Sequence, residues 1–264
     1  MRKSPRARRG GRFRVVYMTL VLLFLYTPIL IVVLYSFNPS KNAGVMTGFT
    51  VDWYRQLFQN KEIGRTLINS LKLAAISVSA AAVIGTLGAI ALARQHLRMQ
   101  GFMEGLISLP IMVPEIVLGM SFLAAFTYVG LKLGMLTMAL AHITFCIPYV
   151  FIIVKGRIAG LDPSLEEAAR DLGANPVRVF FDITLPLVFP AVLAGMLLAF
   201  AMSFDDVIIS FFVTGPGAQT LPLKVYSSLK VGVTPEINAL CTLMLGVVFL
   251  LVAISQWIRA RRLT

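Results

Sequence analysis

Residues 162–186 read Asp-Pro-Ser-Leu-Glu-Glu-Ala-Ala-Arg-Asp-Leu-Gly-Ala-Asn-Pro-Val-Arg-Val-Phe-Phe-Asp-Ile-Thr-Leu-Pro. This is two short helices with a turn between them. Asp162 and Ser164 offer N-caps, with Pro163 at a position the first turn permits. Glu166 and Glu167 fall in the first turn, where the helix dipole favours acids. Gly173 follows Leu172 where a left-handed C-cap is expected, and Asn175-Pro176 opens the next helix. Leu165, Ala168, Ala169 and Leu172 form one apolar stripe at spacings of three and four. That stripe is buried either beneath the protein's own helices or in the groove of a partner.

The sequence on either side of this segment is of a different kind. Of 264 residues, 58% are hydrophobic and only 14% are charged, and mean hydropathy is +0.83. Soluble domains carry roughly 45–50% apolar and about 25% charged residues, so a soluble globule is excluded, as is a disordered chain. Six runs approach the ~20 apolar residues needed to span a bilayer. They lie near 13–35, 70–93, 102–129 (interrupted by Pro110 and Pro114), 134–154, 187–213 and 238–258. The first run is longer than a signal-peptide core and lacks a small-residue cleavage site after it, so it reads as an uncleaved helix.

The formal net charge of +12 is mainly a topology signal. With the N-terminus inside, the inner segments hold sixteen of the 24 lysines and arginines. These include Arg2, Lys3, Arg98, Lys155, Arg157 and the C-terminal Arg259, Arg261 and Arg262. The positive-inside rule then puts both termini in the cytoplasm. A nucleic-acid partner is not called for. The expected organisation is a basic N-terminal segment 1–14, a single transmembrane domain 15–258 with its inner loop at 155–186, and a short tail 259–264. Segment 36–69, with Trp53, Tyr54 and Phe58, is expected to lie at the outer interface. Segment 214–237 reads as an outer loop rich in turn residues.

Three acids fall inside apolar runs: Glu115, Asp205 and Asp206. A charge near the bilayer centre costs roughly 2.5–3.5 kcal/mol on insertion scales, so such groups face a cavity, another subunit or a cation. None has a Lys or Arg within four residues on its own helix. The competing reading is that they pair with a base on a neighbouring helix, but Lys72 and Lys132 sit near helix ends. Asp205 and Asp206 point about 100° apart on a helix, and Ser203 shares the face of Asp206. Acids without bases along a path favour a cationic cargo. Trp53, Tyr35 and Tyr54 offer cation–π contacts or interfacial anchors. His96 and His142 read as structural or solvated. Cys146 and Cys241 are far apart in apolar runs and read as buried free thiols. The chain has no Gly-x4-Gly-Lys-Ser/Thr phosphate loop and no catalytic or metal-ligand constellation.

Glu167-Ala168-Ala169, Gly173, Ile183 and Leu185-Pro186 match every fixed position of EAA-x3-G-x9-I-x-LP. In this the chain resembles the permease subunits of type I ABC importers. The resemblance implies an all-α membrane protein with six transmembrane helices in the MetI-like fold. It also implies that 155–186 is a coupling loop seated on a separate ATPase. More of the chain, roughly 17–258, is similar to the spermidine/putrescine permeases of the C/I type. The matching stretches are Tyr35-Ser36-Phe37-Asn38, Gly48-Phe49-Thr50, Trp53-Tyr54, Ala141-His142-Ile143-Thr144-Phe145-Cys146, Ser203-Phe204-Asp205-Asp206-Val207, Phe212-Val213-Thr214-Gly215-Pro216 and 231–240.

By that resemblance the substrate pathway includes Trp53, Glu115, Ser203, Asp205 and Asp206. The expected partners are two copies of an ABC ATPase, a second homologous permease forming a heterodimer, an extracytoplasmic polyamine-binding protein and membrane lipid. ATP and Mg would bind the ATPase, and this chain would hold no cofactor. It would not be an enzyme and would lie in the bacterial inner membrane. One departure is Glu115, where related permeases can carry Asp. The Arg-rich start lies outside the resemblance and suits anionic lipid. The alternatives are an importer of another small cationic amine or amino-acid derivative, or an ion-coupled secondary transporter. The second would leave the 165–172 stripe unexplained.

Overall fold

Proline and extended backbone, more than hydropathy, decide where the apolar runs bend. The computed structural model describes residues 6–40, 45–94, 99–232 and 234–262. Arg2, Lys3, His96, Arg98 and Val233 lie outside them. Among the described residues there are helices and connecting turns but no strand. In chain order the helices are α1 (Arg6–Tyr35), α2 (Asp52–Gln59), α3 (Lys61–Arg94), α4 (Gln100–Met112), α5 (Glu115–Tyr128), α6 (Met135–Ile158), α7 (Ser164–Asp171) and α8 (Pro176–Val179). A five-residue π-helix, Phe180–Thr184, leads into α9 (Leu185–Asp205). Then come α10 (Ile208–Val213), α11 (Leu221–Val231) and α12 (Pro235–Arg262).

Four stretches are long and apolar enough to cross a membrane: Phe13–Tyr35, Lys61–Arg94, Met135–Ile158 and Pro176–Asp205. A fifth is the pair α4 and α5, bent by 105°. The sixth expected run falls in α12, whose described apolar stretch is Pro235–Leu250. Several expectations change in detail. The second run is helical from Lys61 rather than from about Ser70, so 36–69 contains α2 and the start of α3. The third run is broken at Val113–Pro114, while Pro110 sits inside α4. Val113 is extended (φ −81, ψ 133), as the residue before a proline tends to be. The fifth run is two helices, because Asp206 is extended (ψ 128). Segment 214–237 contains α11, a helix that its flanking Gly and Pro residues concealed.

The chain divides into two compact units, Met1–Lys61 with Ser227–Thr264, and Glu62–Tyr226. In the first, α12 packs on α1 and α2. The chain between α1 and α2 folds on itself: Phe37 stacks on Phe49 at 4.8 Å, and the Ser36 hydroxyl meets the Tyr54 hydroxyl at 2.7 Å. Trp53 Nε1 donates to the Asn38 carbonyl at 2.8 Å.

In the second unit α6 is the centre, packed on α9, α4 and α10, while α10 also packs on α5. Lipid tails are as apolar as leucine, so helices here gain by close backbone approach rather than by leaving water. Small residues supply it. A Cβ at Gly195 would lie 2.9 Å from Val150 Cα, and one at Gly85 would lie 3.0 Å from the Ile147 carbonyl oxygen. Both α3 and α9 therefore close on the same turn of α6. Large apolar side chains point outward instead, for example Leu197 in α9 and Phe24 in α1. In a spanning helix these are lipid contacts.

Candidate functional site

The bend at Pro114 and the break at Asp206 each place an acid where a helix stops or starts. Glu115 is the first residue of α5, not a mid-helix residue as a straight third run would make it. Asp205 is the last residue of α9. A cavity of about 440 Å³ lies between them, lined by Glu115, Met202, Asp205, Asp206 and Ile208 among others. That is within the roughly 300–1,000 Å³ of small-molecule sites. No Lys or Arg is among its lining residues. Asp205 is exposed and Glu115 half-buried, so both carboxylates present themselves to the cavity.

Asp206 is different. It is buried at 7% exposure, and its carboxylate is held from several sides. The Ile209 and Ser210 backbone N–H groups donate to its two oxygens at 3.1 and 2.8 Å. These are donors that the start of α10 would otherwise leave unpaired. His142 Nε2, from α6, lies 3.3 Å from Oδ2. His142 is fully buried; its Nε2 also meets the Ser210 hydroxyl at 3.1 Å, and its Nδ1 meets the Ser203 hydroxyl at 2.9 Å. A search for Lys or Arg partners passes over this contact. Asp206 does have a partner, and it is a histidine sixty-four positions earlier in the chain. Ser203 likewise faces His142 inside the protein. Trp53 belongs to the other compact unit. His142 lay within a stretch that carried the family resemblance, but nothing in the local sequence joined it to Asp206.

In segment 162–186 the first helix and its turn form as expected, but Ser164 does not cap, and the second helix is not a separate short one: it runs on through the π-helix into α9. Ser164 N donates to Asp162 Oδ1 at 3.0 Å, which holds the Asp162 carboxyl below the usual carboxylate range. Gly173 has φ +87, the left-handed turn that favours glycine. Asn175 caps α8 by accepting from Arg178 N at 2.8 Å. The apolar stripe is not packed under the chain's own helices. Leu165 and Ala168 are exposed, and Leu172 is 90% exposed. Ala169, Ile183 and Leu185 are half-covered, while Glu167 and Pro186 are exposed.

One contact the motif did not predict ties this segment to the bundle. Arg94, the last residue of α3, bonds both Glu166 and the Thr184 hydroxyl, and Thr184 donates to Glu166 at 2.7 Å. Beside this triad is a cavity of about 650 Å³ that also includes Lys155 and Arg170. Lys155 in turn pairs with Glu104 of α4 at 2.6 Å.

Residues 81–264 match the family described as binding-protein-dependent transport system inner membrane component. The chain is similar to the putrescine transport system permease protein PotI of Escherichia coli K12, 43% identical over 94% of this chain and 91% of that protein. It is also similar to the spermidine/putrescine transport system permease protein PotC of the same strain, 42% identical over 95% of this chain and 93% of that one. Among solved structures, a bacterial ABC transporter involved in import of the acidic polysaccharide alginate matches with a TM-score of 0.75. That match covers 97% of this chain and 99% of the other at 16% identity, and it shows the shared fold.

Proposed function

The chain belongs to the family of binding-protein-dependent transport system inner membrane components, and from that premise we propose that it passes polyamines through the membrane in an ATP-driven importer. It is a membrane permease subunit, not an enzyme, and ATP hydrolysis belongs to a separate subunit. The observation that supports a polyamine cargo is the cavity whose wall carries Glu115, Asp205 and Asp206 and no Lys or Arg. An acidic wall attracts polycations and repels anions. The relatives named for putrescine and spermidine transport agree with it over nearly the whole chain.

In this reading Glu115 and Asp205 meet the ammonium groups, and Asp206 with Ser203 supports the wall from behind. Trp53 belongs to the pathway by resemblance. Both termini are cytoplasmic, 1–14 and 259–264 flank a transmembrane domain at 15–258, and a polyamine-loaded binding protein delivers from outside. A second, homologous permease completes the pore. Two ATPase copies dock on the paired inner loops, which here present Leu165, Ala168 and Leu172 uncovered with Glu167 beside them. Gly173, Ile183, Leu185 and Pro186 shape that loop. ATP and Mg belong to the ATPase, and this chain holds no cofactor.

The test is uptake of labelled putrescine and spermidine by cells expressing the whole transporter, with membrane levels matched. Glu115→Gln and Asp205→Asn are each expected to raise the uptake KM about tenfold, or ~1.4 kcal/mol of lost attraction. Unchanged uptake in both variants would remove the acids from the pathway. Absence of polyamine uptake by the native complex would remove the cargo and leave the importer fold standing.

A further inference from the structure

We propose that His142 is a positioning residue for the cargo cavity, holding the α9–α10 break closed so that Asp205 is presented to cargo while Asp206 is retained inside the protein. The proposal rests on the polyamine reading for its cargo and on geometry for everything else. The break is a weak point: Asp206 is extended, and no helical bond carries the ladder from α9 into α10. What replaces the ladder is the Asp206 carboxylate, which takes the first N–H groups of α10, and one imidazole that ties both sides of the break. From α6 it reaches Ser203 at the end of α9 with Nδ1 (2.9 Å) and Asp206 and Ser210 across the break with Nε2 (3.3 and 3.1 Å). All four side chains are buried.

The hydrogen-bond roles follow from what each group can do. An ionised carboxylate only accepts. Nε2 therefore carries the proton toward Asp206, and in the neutral ring Nδ1 accepts from the Ser203 hydroxyl. With two backbone donors and the imidazole on its oxygens, Asp206 has little capacity left for an ammonium group. Asp205, next in the chain, is exposed and has no hydrogen-bond partner among the described residues. The two neighbouring acids thus divide the work. One fixes the backbone and the other meets the cargo, and His142 keeps them on their respective sides. Two further side chains of α6 fasten the same neighbours elsewhere: Thr137 donates to the Val213 carbonyl at the far end of α10, and Cys146 to the Ala199 carbonyl of α9 at 3.6 Å.

Three substitutions separate positioning from mere bulk. In His142→Gln the amide nitrogen falls near Nε2 and keeps the donor to Asp206. In His142→Asn the amide falls near Nδ1 and keeps only the Ser203 contact. His142→Ala keeps neither. Each is made in the assembled transporter and read in two ways. The first is polyamine uptake, separated into KM and maximal rate per transporter in the membrane. The second needs no cargo: alkylation of Cys146 by N-ethylmaleimide, followed by the mass of its peptide, because Cys146 is fully buried in the same α6–α9 seam.

The expected result is a KM raised about tenfold in Ala and Asn and restored to within twofold by Gln, with maximal rate per transporter little changed. Cys146 labelling should rise at least tenfold in Ala and Asn and stay at the native level in Gln. The proposal is overturned if Asn protects as well as Gln, if all three label like the native protein, or if labelling follows the expected order while KM does not move. If the native complex takes up no polyamine but the labelling order holds, the cargo reading fails and the seam assignment stands.

Discussion

The α9–α10 break and the α7 surface are finished in opposite ways. At the α9–α10 break the polar groups described are turned inward and paired: a carboxylate, an imidazole, two hydroxyls and two backbone N–H groups. On α7 the apolar side chains are turned outward, with Leu172 at 90% exposure. Both arrangements carry a cost if taken alone. A buried charge needs partners, and an exposed leucine near water needs a cover. The first cost is met within this chain. The second is not met within this chain, and the proposed docking of the ATPase on α7 would meet it.

The largest effect that would break this contrast is on the buried side. Asp206→Ala strands the His142 donor and the Ile209 and Ser210 N–H groups, and breaking a buried pair costs about 3–5 kcal/mol. A lower thermal midpoint and a lower membrane level are expected. Glu167→Ala on α7 should change neither. Equal stability of the two variants would mean that the break is not held from within.

Next comes the open side. Leu172→Asp should leave the thermal midpoint alone and weaken capture of the ATPase. Burial of a leucine contributes about 1.5–3 kcal/mol, so co-purification should fall roughly tenfold to hundredfold. If it falls no further than with an exposed substitution elsewhere, such as Phe58→Asp, α7 is not the docking surface. The smallest effect concerns the turn itself. Gly173 has φ +87 with nothing near an added Cβ, so Gly173→Ala meets only conformational strain of about 1 kcal/mol. That should appear as a modest loss of coupling at unchanged membrane level.

The contrast also marks what could be read from residues alone. The α7 segment was legible in detail because its signals are local: Glu167-Ala168-Ala169, the C-cap glycine and the Asn175-Pro176 start act over three or four residues. The apolar runs were legible because hydropathy is additive along a helix. The break at Asp206 was not. No proline or glycine marks it; Asp206 accepts the first N–H groups of α10, and its further partner His142 comes from α6, remote in sequence. The same holds for Arg94, which reaches Glu166 and Thr184 across more than seventy residues of chain. The helix α11 was hidden because Gly215-Pro216-Gly217 and Pro222 read as turn signals, although the first three lie before it and Pro222 sits in its first turn, where proline is permitted. Glu115 and Asp205 were identifiable as misplaced charges, but only the bend at Pro114 and the break at Asp206 bring them to one cavity.

The 21 residues of α9 span about 30 Å at 1.5 Å per residue. At one end is a π-helical turn, whose wider ring is a common site of local rearrangement, and at the other is the break at Asp206. That makes α9 a connecting rod with a joint at each end. Thr184, bonded to Arg94 and Glu166, is its near bearing, and Asp205 is its far tip. In the proposed importer, a push on α7 by the ATPase would reach the cavity wall through this rod, with a joint at each end to take up rotation. The proposed coupling then needs only α9 to carry motion over its own length of about 30 Å, with no group passed along the way.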